Sequence, residues 1–220
     1  RECRRSFHFL STDGYWNDTV DTNLDVYKNN DDLTGLTTPT RYGAERGVDY
    51  TAATGAPPDS DTNRFTVHPF KDGHGGNLSD VAAYYWKRDL RPTVRNRVAP
   101  TSRDPAFWQH LSTYTIGLGI SGTGNVELAN GTKTRGGIPL LASQDNIDWL
   151  IANRQQLVWP QTVGDTASTG DDLIHASMVG RGRYFSASDP STLAAGLSTA
   201  LAEATDQPLD VANVTTEAGQ

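Results

Sequence analysis

A carboxylate at the end of an apolar strand is the first group in this chain placed to do chemistry. Ser6-Phe7-His8-Phe9-Leu10-Ser11 reads as a short buried strand, and Thr12-Asp13-Gly14 follows at its carboxyl end. In an open α/β sheet, ligands collect in the crevice outside the carboxyl ends of the strands. Asp13 is therefore a candidate metal ligand. Asp-Gly is also a common turn pair, because Asp bonds the backbone ahead of it and Gly takes positive φ freely. The dipeptide fits both readings.

Other donors are more scattered. Asp18, Asp21, Asn23 and Asp25 lie close together after the strand and could offer oxygens to Ca²⁺. They lack the glycine and terminal glutamate of the familiar calcium loop, so a solvated acidic loop is the simpler reading. His68, His74 and His110 include no pair at i, i+4, and no cysteine joins them. His110 is expected to pack beside Trp108, and His175 to satisfy a local hydrogen bond in mid-helix. The single cysteine, Cys3, reads as a half-buried thiol at a strand start, or as a partner for a cysteine outside this chain. Arg88, Arg91, Arg95, Arg97 and Arg103 form a basic strip: a docking face, or a solvated surface interspersed with Asp89 and Asp104. There is no Gly-x-Ser-x-Gly elbow and no Gly-x-x-x-x-Gly-Lys loop.

The elements that must position these groups alternate. After the first strand, residues 17–76 are dominated by Asp, Asn, Thr, Gly and Pro and show no helical period; a short strand is expected near Arg64-Phe65-Thr66-Val67. Leu78, Val81, Ala82 and Tyr85 fall on one face of a helix, capped by Asn77 or Ser79 and stopped by Pro92. Asp104-Pro105 predicts a second helix start carrying Phe107, Trp108 and Leu111. Thr113–Ile120 reads as a central strand whose Gly117 and Gly119 let a helix approach closely. Helices are expected from Ser143 to about Asn153 and from about Gly170 to Gly180. A third strand follows at 183–187. The last helix starts at Ser188-Asp189-Pro190, with Leu193, Leu197, Ala200, Leu201 and Ala204 as its apolar stripe. Strands alternating with helices imply a parallel sheet. Three strands are few for such a sheet, which leads one to expect a missing part on the amino side and an exposed first-strand edge prone to self-association.

The bulk composition narrows the classes. The chain has 220 residues, 36% of them hydrophobic, and a net charge of −7. That acidity argues against nucleic acid, whose phosphates need a basic footprint. No run is long and apolar enough to span a bilayer. Arg1-Glu2-Cys3-Arg4-Arg5 does not open a signal peptide, so export is expected to depend on sequence outside this chain.

Taken together, Thr12-Asp13-Gly14 at a strand end and Tyr184–Leu193 running from a strand into a helix resemble the carboxyl-terminal half of a von Willebrand factor A domain. A longer set of motifs resembles the PilC/PilY family of type IV pilus tip-associated adhesin and biogenesis proteins: Thr12-Asp13-Gly14-Tyr15-Trp16-Asn17, Asp80–Pro92, Asp104–His110 leading into Thr115–Gly119, and Asp171–Ala176 followed by Gly180–Phe185. The resemblance implies a partial von Willebrand factor A-like (Rossmann-like) three-layer α/β fold over residues 1–205, with a variable polar insertion at 18–76 and a linker at 206–220. It implies a non-enzymatic interaction or adhesion module at the bacterial cell surface, active in pilus biogenesis, retraction control and attachment. Its partners would be pilus subunits (minor pilins) or a host surface protein. That family's Asp-x-Ser-x-Ser motif is not found here, so only Asp13 carries over as a metal ligand. No cofactor is expected in this stretch, and Mg²⁺ or Ca²⁺ is expected in the intact protein. The alternatives are a metal-dependent A-type adhesion domain outside the pilus system and a hydrolase using the acidic loop.

Overall fold

The computed structural model describes residues 2–17, 23–31, 68–101 and 103–205. Its elements in chain order are β1 (Ser6–Thr12), a 3-10 turn (Asp25–Tyr27), α1 (Leu78–Trp86), β2 (Leu111–Leu118), three two-residue strands β3 (Glu127–Leu128), β4 (Thr134–Arg135) and β5 (Ile138–Pro139), α2 (Gln144–Ala152), β6 (Leu157–Val158), α3 (Ser168–Val179), β7 (Arg181–Ala187) and α4 (Pro190–Thr205). The strand expected at 64–67, the linker at 206–220, and Asp18 and Asp21 fall outside the described residues.

The expected parallel sheet is present, in the order β1-β2-β7. Ser6 lies opposite Leu111 and Thr12 opposite Gly117, while Thr115 lies opposite Tyr184 and Ile116 opposite Phe185. β2 is the central strand, and its residues 112–117 are all buried, as befits a parallel strand covered on both faces. Partners in parallel register share a face. Thr115 gives its hydroxyl to the Leu173 carbonyl of α3 at 3.0 Å, so the Thr115/Tyr184 face looks toward α3. The Ile116/Phe185 face looks toward α4, where a side-chain carbon on Gly196 would lie 3.2 Å from Phe185. Helices thus cover both faces. Among the described residues β1 pairs only with β2, and its outer edge is open.

The main core lies on the α3 side and includes Trp86, Trp108, Leu140, Leu150, Ile174 and Met178. The Arg181 guanidinium lies 3.5 Å above the Phe70 ring and 4.3 Å above that of Trp86, a desolvated stacking that ties residues near 70 to α1. At Gly182 two backbone segments approach closely: a Cβ there would lie 2.1 Å from the Thr113 carbonyl oxygen of the central strand. Gly117, expected to admit a helix, instead faces the Tyr184 hydroxyl and the Ile120 side chain, and Gly119 ends the strand at φ +66°.

Several boundaries differ from expectation for physical reasons. Residues 104–110 are irregular rather than helical. Asp104 does not cap a helix, because its carboxylate is taken by other donors: Trp86 Nε1 at 3.1 Å, Ala106 N at 3.3 Å, the His110 ring at 2.7 Å and Ser112 Oγ at 2.9 Å. Trp86 is fully buried in consequence, so α1 turns Ala82, Ala83 and Trp86 inward and leaves Tyr85 38% exposed. α1 also ends at Trp86, well before Pro92. The stripe on α4 is only half covered: Ala200 is buried, while Leu197 and Leu201 are exposed. Cys3 is an exposed thiol in the turn before β1. The polar segment 125–142 holds the small ribbon β4·β5, with β3 paired to β6.

Asp104 yields a stability prediction. Burial pushes its pKa up, but His110, Arg5 and the Trp86 indole outweigh burial and hold it well below the usual carboxylate range. Its contribution is therefore full above the unfolded-state pKa near 4 and is lost as the pH falls further. Asp104→Asn should cost about 3–5 kcal/mol at pH 7, the scale for breaking a buried pair. The gap from the parent should shrink below pH 4. Urea denaturation from pH 2 to 7 measures both, and a gap independent of pH would refute the assignment.

Candidate functional site

Four aspartates leave water together on one flank of the sheet. Asp172, on α3, accepts the backbone N–H groups of Leu78 at 2.8 Å and Ser79 at 2.9 Å, the first two residues of α1. A helix has four amide hydrogens there without internal partners, and α3 supplies the acceptor for two. Asp80 divides its oxygens, accepting from Asn77 N at 3.0 Å and from Asn30 N at 2.6 Å. The second bond pins residues 23–31 to α1. Asp31 Oδ1 then accepts from Asp72 N at 3.1 Å, and Asp72 Oδ1 from His74 N at 2.6 Å.

His175, on α3, faces the remaining oxygens of the last two. Its Nε2 lies 3.7 Å from Asp31 Oδ2, and its Nδ1 lies 3.7 Å from Asp72 Oδ2. The side chains are 0%, 3% and 2% exposed for Asp31, Asp72 and His175. Nε2 is 2.7 Å from the Phe70 carbonyl oxygen, which assigns its proton and leaves the lone pair on Nδ1. The indole of Trp159 stacks on the ring at 3.8 Å and 12° and donates to the Pro69 carbonyl at 3.0 Å. Among the described residues, Asp31, Asp72 and His175 are the group whose donor atoms converge closely enough to share an ion.

Burial governs the charge states. It pushes Asp31 up to about 9, reinforced by the charges of Asp72 and Asp80, and also raises Asp80 to about 7 and Asp172 to about 6. It pushes His175 down to about 3, so the imidazole is neutral, the form that binds metals. Asp31 Oδ2 has no hydrogen-bond partner. The nearby Ser79 hydroxyl polarises the carboxyl without reaching hydrogen-bond geometry.

The other candidates stand apart. Asp13 is exposed just beyond β1, where Thr12 Oγ1 donates to the Gly14 carbonyl at 2.8 Å. No group of three or more His, Cys, Asp or Glu donors gathers around it among the described residues. It does not by itself make the six-oxygen cage of Ca²⁺ or the octahedron of Mg²⁺. Asp25 is exposed and pairs with Lys28 at 2.6 Å. Arg95 and Arg97 pair with Glu2, Arg103 with Asp148, and Arg88 lies over Tyr84. His110 packs edge-on to Trp108, as expected. Its neighbours Asp104 and Ser112 do not make a triad. Asp104 and Ser112 both approach Nε2, the Trp108 carbonyl takes Nδ1, and all three side chains are buried. A cleft of about 500 Å³ opens at the carboxyl ends of β2 and β7, lined by Ile120, Val126, Leu140, Ile147 and Ile174. Its one carboxylate, Asp171, is occupied by Thr123 N and Oγ1.

Sequence reasoning missed the buried cluster. His175 makes a bond to a residue 105 positions away rather than a local one. Asp31 and Asp72 lie in the stretch read only as a polar loop, and the one available signal was Asp171-Asp172 three and four residues before a histidine on a helix.

The architecture is that of an open, parallel α/β sheet covered on both faces, with an internal acidic cluster on one flank. In an alignment of 209 positions that covers 88% of its length, the chain is 30% identical to the type IV pilus biogenesis factor PilY1 of Pseudomonas aeruginosa strain PAK. It is likewise 30% identical to PilY1 of strain PAO1 and 31% identical, over 208 residues, to that of strain UCBPP-PA14. The chain spans about 15% of the length of these curated relatives. No family model and no solved structure matches it. By these relatives the chain belongs to the PilY family.

The cluster's structural share can be tested at Asp172. Asp172→Ala leaves two amide hydrogens at the start of α1 without acceptors and should cost about 2–4 kcal/mol. Asp172→Asn keeps one acceptor and should recover part of that. Tryptophan fluorescence in urea measures both, and equal stability of Asp172→Ala and the parent would remove the cap from the account.

Proposed function

We propose that this chain is a non-catalytic interaction module of a type IV pilus biogenesis factor. In this reading it forms the carboxyl-terminal part of a von Willebrand factor A-like domain over residues 1–205, followed by a linker at 206–220. The observation that carries the reading is the relationship to PilY1 over 88% of the chain. The architecture supports it. Thr12-Asp13-Gly14 ends β1 in the crevice where open α/β sheets bind ligands. The one carboxylate lining the cleft, Asp171, is taken by Thr123, and Asp31, Asp72, Asp80 and Asp172 do not line it, which disfavours hydrolysis. The module acts at the cell surface on pilus subunits or a host surface, and Asp13 serves as a metal ligand only where the rest of the parent protein supplies further oxygens.

The open edge of β1 gives this reading a physical consequence. Among the described residues nothing pairs with that edge; such an edge needs a neighbouring strand, and in this reading the parent protein supplies it from elsewhere in the domain. The isolated chain should therefore self-associate with rising concentration in sedimentation velocity runs. A monomer throughout would mean that the edge is already protected.

The function is tested in the parent protein. Removing residues 6–205 from it in a type IV-piliated bacterium should lower the pilin sheared from the surface several-fold while the remaining protein is still made. Undiminished pilin and undiminished attachment would overturn the reading.

A further inference from the structure

We propose that Asp31, Asp72 and His175 hold a single divalent transition-metal ion, best fitted by zinc, that fastens residues 23–31 and 68–77 to α3. This site is separate from Asp13 and independent of the pilus reading. One carboxylate oxygen from each aspartate and one imidazole nitrogen lie within 4.8 Å of one another. Nδ1, the ring nitrogen with the free lone pair, lies 3.7 Å from Asp72 Oδ2, while Asp31 Oδ2 lies 3.7 Å from the other ring nitrogen, Nε2. A tetrahedral zinc ion with bonds near 2.0–2.1 Å sets its ligand atoms roughly 3.3–3.4 Å apart, so Asp72 is already near ligand spacing from Nδ1 and the Asp31 carboxylate turns toward Nδ1 to complete the set.

The independent sign of a ligand is Asp31 Oδ2. Asp31 is fully buried, and this oxygen has no hydrogen-bond partner, yet it points at the imidazole. A buried polar atom of that kind is rare without an unseen partner. The outer contacts have the form that metal ligands use. Each carboxylate has its other oxygen fixed by a backbone N–H. The imidazole has Nε2 committed to the Phe70 carbonyl and its face clamped by Trp159. Such partners fix ring orientation and tautomer. Two carboxylates also balance the charge of one dication, which makes its burial tolerable. An imidazole donor favours zinc and its first-row neighbours over Mg²⁺ or Ca²⁺, which prefer all-oxygen shells.

The test uses the 220-residue chain stripped with chelator and then titrated with Zn²⁺ by calorimetry and thermal melting. One equivalent should bind, and at a hundredfold excess over the dissociation constant the melting temperature should rise by about 5–10 °C. Asp31→Asn and His175→Gln should lose both effects, and Asp13→Ala should keep them. Because the first two variants can fail to fold, Mn²⁺-loaded wild-type chain is also examined by pulsed electron spin resonance for ¹⁴N coupling from imidazole. Saturable binding with nitrogen coupling supports the site. Failure of the folded wild-type chain to bind, binding without nitrogen coupling, preference for Ca²⁺, or binding unchanged in folded Asp31→Asn would each overturn it.

Discussion

The carboxylate of Asp172 is the contact on which the flank of this molecule depends. It is 4% exposed and lies on α3, yet both its hydrogen bonds run to the first turn of α1. Burying a carboxylate is costly unless donors are supplied, and a helix start supplies free amide hydrogens with a favourable dipole. One interaction thus satisfies both elements. It fixes how α1 enters against α3, and with that the position of Asp80. Asp80 in turn holds Asn30, and Asp31 holds the Asp72 backbone. The order of dependence runs from helix packing to loop placement, and only then to the convergence of Asp31, Asp72 and His175.

Asp104 plays the equivalent part on the amino side of the sheet. It gathers the Trp86 indole, the His110 ring and the Ser112 hydroxyl around one buried carboxylate, with Arg5 at 3.9 Å. Those partners come from the segment before β1, from α1 and from the start of β2. A helix beginning at Asp104 would have turned this carboxylate outward to cap its own amides. The irregular path from 104 to 110 is what allows Trp86 and Trp108 to meet edge to face at 5.6 Å.

These two carboxylates explain what was legible in the sequence. The sheet was: an apolar stretch ending in Thr12-Asp13-Gly14 marked β1, Thr113–Ile120 with Gly117 and Gly119 on one face marked β2, and Ser143 and Asp189-Pro190 marked the starts of α2 and α4. Such signals are local: each is carried by residues within one element or at its end. The acidic cluster was not legible. Asp31 and Asp72 are 41 positions apart, and His175 is more than a hundred positions beyond them, so nothing in the spacing connects the three. The polar richness of residues 17–76 pointed to solvent, whereas at Asp31 and Asp72 the polarity serves interior hydrogen bonds. Asp25, whose neighbours in the sequence suggested an oxygen cluster, pairs with Lys28 in the open. The apolar face of α1 was misplaced by one position because Trp86, whose indole has an acceptor in Asp104, outranks Tyr85 as an anchor.

The position of the cluster also brings together two parts of the chain. Residues 23–31 and 68–77 approach each other at the bond from Asp72 N to Asp31 Oδ1 and at the contact of Asn29 Nδ2 with the Asp72 carbonyl, 3.2 Å. Asp31 and Asp72, 41 positions apart, are thus joined by a direct bond between a buried carboxylate and a backbone amide. Bringing two points of a chain together costs free energy that grows only as the logarithm of their separation, about 0.6 kcal/mol for each doubling. Hydrogen bonds to buried carboxyl groups, worth about 1.5–3 kcal/mol each where the group is charged, are large enough to hold residues 23–31 and 68–77 side by side against α1 and α3.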